Sequence, residues 1–296
     1  MNFADKLLTN VQKTSPISLG IDPNFNLMPD FLKPKTNSET EIKNSLINFS
    51  KLTIDATKNL ICSIKVQSAY FEQFGTIGLE ALAVILDYIK KQNLLSILDV
   101  KRGDIGSTSQ AYAHAFLGPQ TIDSITYQSD LEADCITINP FMGDDSIAPF
   151  AETAIKNKKG LFILCKTSNP GSSVIMDKQS ENRFISHHVA ELIHTAGLND
   201  IGTLGFSSIG AVIGATCTQD IPSLIEKMPN ALILMPGMGT QGGSIETVKK
   251  TSRKNGLGAI VPISRALTYP EGEFTEENDY QNAIYQATLS YTQLFK

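Results

Sequence analysis

Eight short runs of apolar and β-branched residues recur along this chain, and their spacing restricts the fold more than any other feature. They are "ISLGI" (Ile17–Ile21), "ICSIKV" (Ile61–Val66), "LLSILDV" (Leu94–Val100), "CITI" (Cys135–Ile138), "LFILC" (Leu161–Cys165), "IGAVIGA" (Ile209–Ala215), "ALILM" (Ala231–Met235) and "GAIVPI" (Gly258–Ile263). Most are continuous rather than alternating, the pattern of strands covered on both faces in a parallel sheet. Between them lie helical patterns, among them "SETEIKNSLINFSKLTIDATKN", "GLEALAVILDYIKKQN" and "RFISHHVAELIHTAG", with a shorter one in "IPSLIEKMP". Alternating strands and helices of this number close most naturally as a (β/α)₈ barrel. An open doubly wound sheet is the alternative, but no dinucleotide GxGxxG follows the first run.

The 296 residues fit one barrel, and no linker, repeat or low-complexity tract demands a boundary. We therefore expect a single domain over residues 1–296, with loops inserted around 109–134 and 168–186. A hydrophobic content of 42% and a charged content of 19% support a large core. The net charge of −5, without a basic run, gives no footprint for nucleic acid or an anionic membrane. No apolar run approaches the roughly 20 residues of a membrane span. The amphipathic start "MNFADKLLTNVQKTS" lacks the apolar core of a secretory signal, so the expected compartment is the cytoplasm. Cys62, Cys135, Cys165 and Cys217 are far apart and sit in or beside apolar runs, as buried reduced thiols do. His114, His187, His188 and His194 avoid the strand ends and show no metal spacing, so no metal site is expected.

In such a barrel the chemistry sits in the loops that follow the strands, which converge on one pocket. Asp22 follows the first run, Lys65 lies inside the second, and Asp99, Lys101 and Asp104 end the third in "LDVKRGDIGST". A buried lysine needs a carboxylate partner, so Lys65 and Asp99 alone would suit a structural pair. Two lysines with several aspartates at one mouth point to catalysis instead. Residues two apart on a strand share a side, which lets Asp99 and Lys101 face the same mouth. Asp104, beyond Gly103, either folds back on that pocket or reaches a neighbouring subunit. Ser168 and Asn169 in "TSNPGSS" offer hydrogen bonds to a polar ring. The glycine-rich "PGMGTQGG", with Gln241, and Arg265 in "PISRALTY" follow the last two strands, where these barrels hold phosphate.

Together these motifs resemble the orotidine 5′-phosphate decarboxylase family. "LDVKRGDIGST" carries its DxKxxDIxxT pattern, and "FADKL", "SLGIDPN", "IKVQSAYFEQFG", "TINPF", "TSNPGS", "VIGAT", "PGMGTQGG" and "ISRA" follow the order of its longer bacterial subgroup, type 2. Gly103 stands where many relatives have another residue. The resemblance implies conversion of orotidine 5′-monophosphate to uridine 5′-monophosphate and carbon dioxide, the last step of pyrimidine nucleotide synthesis, with no cofactor. It assigns the charged network to Lys65, Asp99, Lys101 and Asp104, and ribose contacts to Asp22 and Lys65. Ser168 takes the pyrimidine, and Gln241 and Arg265 take the phosphate. It also implies a homodimer in which Asp104, Ile105 and Thr108 serve the partner's site. Two rivals have a weaker claim. Another phosphosugar decarboxylase of the same barrel would resemble sites with a carboxylate where Lys65 stands, and a non-catalytic nucleotide-binding barrel leaves Lys101 and its aspartates without a purpose.

Overall fold

A computed structural model describes residues 1–238 and 242–295, Lys254 by its backbone alone. Eight parallel strands close into a barrel: β1 (Ile17–Ile21), β2 (Ser63–Gln67), β3 (Ser96–Arg102), β4 (Cys135–Ile138), β5 (Gly160–Lys166), β6 (Ser207–Ile213), β7 (Ala231–Leu234) and β8 (Ala259–Ile263). Each pairs with its sequence neighbour, and β8 pairs with β1 through Ile17 opposite Val261. The eight runs read from the sequence match these strands within two residues at each end. Every residue of β1, β4, β6, β7 and β8 is buried, because side chains alternate between the barrel interior and the surrounding helices.

The strand ends are less regular than an alternating pattern suggests. Between β3 and β4 the register shifts, so that Leu98 faces Ile136 while Arg102 faces Ile138. Four steps on one strand match two on the other, and Lys101, at φ +45°, takes up the slack in a left-handed conformation. A smaller shift separates β5 from β6: Val212 faces Leu164, but Ile213 faces Lys166. The apolar strand does not end before the charges; β3 runs through Asp99, Lys101 and Arg102.

The inserted stretches have their own structure. Residues 109–117 belong to the helix Gly106–Leu117, and the extra chain beyond it forms a hairpin of Gln120–Ile122 and Ile125–Tyr127. After β5 come a 3-10 turn, Pro170–Val174, and a second hairpin, Gln179–Ser180 with Arg183–Phe184.

The opposite end of the barrel is closed by helix α1 (Phe3–Lys13). Phe3, Ala4, Leu7 and Leu8 pack with Ile97, Cys135, Phe162, Val212, Leu234 and Ile260 in one buried cluster. Gly160 allows this fit, since a Cβ there would lie 2.3 Å from the Phe3 ring. Polar groups fasten the helix. Asn2 caps it by accepting the N–H of Asp5 at 2.9 Å, and the Asp5 carboxylate accepts from the N–H groups of Thr203 and Leu204 and from the Thr203 hydroxyl, each at 2.9 Å. Cys62, Cys135 and Cys165 are buried free thiols and Cys217 is half-buried. Among the described residues no helix is long and apolar enough to cross a membrane.

Burial pushes the Asp5 carboxyl up, but the donors on Leu204 and Thr203 outweigh it and hold it below the ordinary value. Its stabilisation is therefore complete above the unfolded pKa, about 3.9, and is lost as pH falls through the lower folded value. Asp5→Ala, which strands these donors, is expected to cost about 1–3 kcal/mol in urea unfolding at pH 7, with the difference from wild type shrinking in acid.

Candidate active site

At the C-terminal ends of the strands lies a cavity of about 390 Å³. Its charged wall comes from β1, β2 and β3. Asp99 sits at its centre, buried, with each carboxylate oxygen engaged. Oδ2 accepts from the Lys65 ammonium at 3.1 Å, while Oδ1 accepts from the Lys101 ammonium at 2.6 Å and from the Thr137 hydroxyl at 2.7 Å. Asp22 Oδ1 lies 4.0 Å from Lys65 Nζ and is enclosed without a hydrogen-bond partner among the described residues.

The electrostatics follow from this packing. Burial works against the charged form of Lys65, but the carboxylates of Asp99 and Asp22 outweigh it and hold its pKa above the ordinary value. Burial likewise opposes ionisation of Asp99; the ammonium groups of Lys65 and Lys101, with the Thr137 hydroxyl, drive its pKa well below the carboxylate range. Both are therefore charged at neutral pH.

Thr137, in the middle of β4, is a residue that sequence reasoning missed. Besides donating to Asp99 it accepts the backbone N–H of Lys101 at 3.0 Å, replacing the ladder partner lost at the register shift. A hydroxyl inside the apolar run "CITI" was its only signal. Arg102 turns away from the cavity, donates to Glu72 Oε1 at 2.7 Å and lies over the rings of Tyr112 and Phe116.

The opposite wall comes from the later strands. Ser168 and Asn169 after β5 line the cavity, with Gly237 and Met238 after β7 and Ser264 and Arg265 after β8. Glycines at the ends of neighbouring strands make room for two of these residues. A Cβ on Gly214 would come 2.8 Å from the Ser168 nitrogen, and one on Gly20 would come 1.8 Å from Ser264 Oγ. Arg265 opens the short helix Arg265–Thr268. The following Tyr269 ties this side to β1, its hydroxyl donating to Asp22 O at 3.0 Å and accepting from Asn24 N at 2.7 Å.

The structure thus brings Asp22, Lys65, Asp99, Lys101, Ser168, Asn169 and Arg265 around one cavity. Asp104, Ile105 and Thr108 are not among its lining residues: Asp104 is half-buried at the start of the helix Gly106–Leu117, Ile105 is 54% exposed and Thr108 is exposed. Gln241 lies outside the described residues. The histidines bond elsewhere, His114 with Pro119 O and His187 with Ser223 Oγ. Among the described residues no three His, Cys, Asp or Glu side chains cluster as metal ligands would.

Comparison with known proteins identifies the family and the fold. Residues 43–271 match the orotidine 5′-phosphate decarboxylase / HUMPS family. The chain is 36% identical to an orotidine 5′-phosphate decarboxylase of Caldicellulosiruptor saccharolyticus, covering 98% of this chain and 96% of that one. It is 34% identical to the protein of that name in Rhodopirellula baltica, covering 100% and 99%. Among solved structures, the Leishmania donovani UMP synthase superposes with a TM-score of 0.73 at 26% identity, over 98% of this chain and 57% of the other. The OMP decarboxylase of Leishmania donovani, at 24% identity, shares the fold with a TM-score of 0.74 over 99% and 96%. By its sequence along most of its length, and by the barrel that carries its site, this chain belongs to the orotidine 5′-phosphate decarboxylase / HUMPS family.

Proposed function

We propose that this chain decarboxylates orotidine 5′-monophosphate to uridine 5′-monophosphate, with Lys101 as the proton donor. The observation that carries this reading is the Lys65–Asp99–Lys101 array on one wall of the cavity. The C6–carboxylate bond breaks and its electron pair stays on C6, where the ring offers little resonance help. An ammonium held beside C6 stabilises that pair, and Lys101 then gives its proton to C6 as carbon dioxide departs. Solvent returns the proton, since the Lys101 side chain is 44% exposed.

Asp99 aims the ammonium. It also lies near the departing carboxylate, and two like charges ~4 Å apart at an effective dielectric of 20 repel by roughly 4 kcal/mol. The most proficient enzymes lower barriers by ~20 kcal/mol, so we assign most of the effect to preorganised stabilisation of the carbanion. The enclosed Asp22 Oδ1 suits a ribose hydroxyl, as does Lys65 beside it. Ser168 and Asn169 face the pyrimidine. Arg265 and Gln241 take the phosphate, whose binding energy helps align the ring.

The same reading makes the enzyme a homodimer with shared sites. Asp104, half-buried, and the exposed Ile105 and Thr108 stand outside their own cavity, and Asp104 would complete a Lys-Asp-Lys-Asp array in a neighbour's. The other phosphosugar chemistry of the family lacks support from the residues here, because the β2 side chain that bonds Asp99 is Lys65.

Lys101→Ala is expected to lower turnover in a spectrophotometric orotidylate assay by at least about 10³-fold while uridine 5′-monophosphate still binds; activity near wild type would remove Lys101 as the donor. Arg265→Ala should lower kcat/KM roughly 10- to 100-fold and erase the preference for nucleotide over nucleoside. An unchanged preference would place the phosphate elsewhere. Mixing the inactive Lys101→Ala and Asp104→Ala chains at equal amounts should restore about a quarter of wild-type activity, since half the dimers are hybrid with one intact site each. No recovery after verified subunit exchange would rule out sharing.

A further inference from the structure

A second buried lysine lies at the end of a barrel strand, and the mechanism above does not use it. Lys166 ends β5 and is 5% exposed. Strict alternation would turn it inward, since Leu164, two residues earlier, lines the cavity. The register shift against β6 inserts Cys165 as an extra residue, and Lys166 is not among the lining residues. Its ammonium instead pairs with Asp177 and lies 3.9 Å from Asp220 Oδ2.

These two carboxylates come from different loops. Asp177 lies in the insertion after β5, just before its hairpin, and Asp220 immediately precedes the helix Ile221–Lys227 after β6 without a side-chain capping bond. Lys166 therefore stands at the neck of a loop, residues 167–177, whose outgoing limb carries Ser168 and Asn169 into the cavity wall. Other contacts draw the same neck together. Thr167 N donates to Met176 Sδ at 3.3 Å, the Thr167 hydroxyl donates to Asn169 Oδ1 at 2.6 Å, and Gly214 N donates to Lys166 O at 2.9 Å.

We propose that Lys166 is a positioning residue: by clasping Asp177 and Asp220 behind the cavity wall, it holds the 167–177 loop so that Ser168 and Asn169 meet the base of the nucleotide. This rests on the proposed function, because it takes the ligand to be a pyrimidine nucleotide. An enclosed ammonium with two carboxylates from separate loops is costly to desolvate and gives little net stability. It does fix the geometry of the loops it joins, and small misplacements of binding groups have large effects on binding and rate.

The test compares a ligand that reaches the base side with one that does not. In Lys166→Met, uridine 5′-monophosphate should bind roughly 10- to 100-fold more weakly, ribose 5-phosphate should bind as to wild type, and KM should rise more than kcat falls. Lys166→Arg should restore most of the affinity. Equal weakening of both ligands, or of neither, would overturn the proposal, as would a Met variant that binds as well as the Arg variant. Should Lys166→Met fail to fold, Asp177→Asn replaces a carboxylate that is 41% exposed and is tolerated by the core. Amide exchange over 167–177 should then speed up in that variant while the barrel strands stay protected, and unchanged exchange would overturn the clasp. If the wild-type chain binds no uridine 5′-monophosphate, the functional reading falls, and the exchange experiment still decides on Lys166.

Discussion

The Asp99 carboxylate is the constraint on which the site depends. It is buried near the end of β3, and its two oxygens receive Lys65, Lys101 and the Thr137 hydroxyl, so three strands are bound to one charge. Desolvating any one of these groups alone would be expensive. Together they form an ionised cluster that the fold tolerates because every member has a partner of opposite charge or a hydrogen bond. Charge is thereby carried to the inner rim of an apolar barrel, with Lys101 left partly open to the cavity.

The barrel was legible in the sequence because burial on both faces writes continuous apolar runs, and eight such runs separated by helical patterns leave few topologies. The residues around the cavity were legible for a related reason: Lys65 and Asp99 are charges inside runs that otherwise exclude charge, and Arg265 stands two residues past the end of another. Thr137 was not, since threonine is common in strands and its value lies in two contacts that only the closed barrel creates. Lys166 was hidden differently. Spacing from Leu164 would turn it inward, and a single extra residue, visible only in the pairing with β6, sends it to two carboxylates elsewhere. Asp104 was open in the sequence because the chain beyond Gly103 can fold back or point outward, and in the structure it does not line its own cavity.

Irregular pairing at two strand ends thus divides the lysines between tasks. At β5 the shift takes Lys166 out of the cavity and into the neck of a loop. At β3 a larger shift brings Lys101 onto Asp99, at the expense of a ladder partner that Thr137 replaces. The placing of Lys166 is not available to a strand of ideal pleat.

The left-handed backbone at Lys101 has a consequence for how this protein can change. A residue with a Cβ held at φ +45° costs of order 1–3 kcal/mol, and only glycine escapes that cost. Stability alone would favour glycine there, and what the lysine supplies instead is the ammonium that meets Asp99. The third strand is therefore a point where the backbone is kept below its own optimum for the sake of a charge at the cavity mouth.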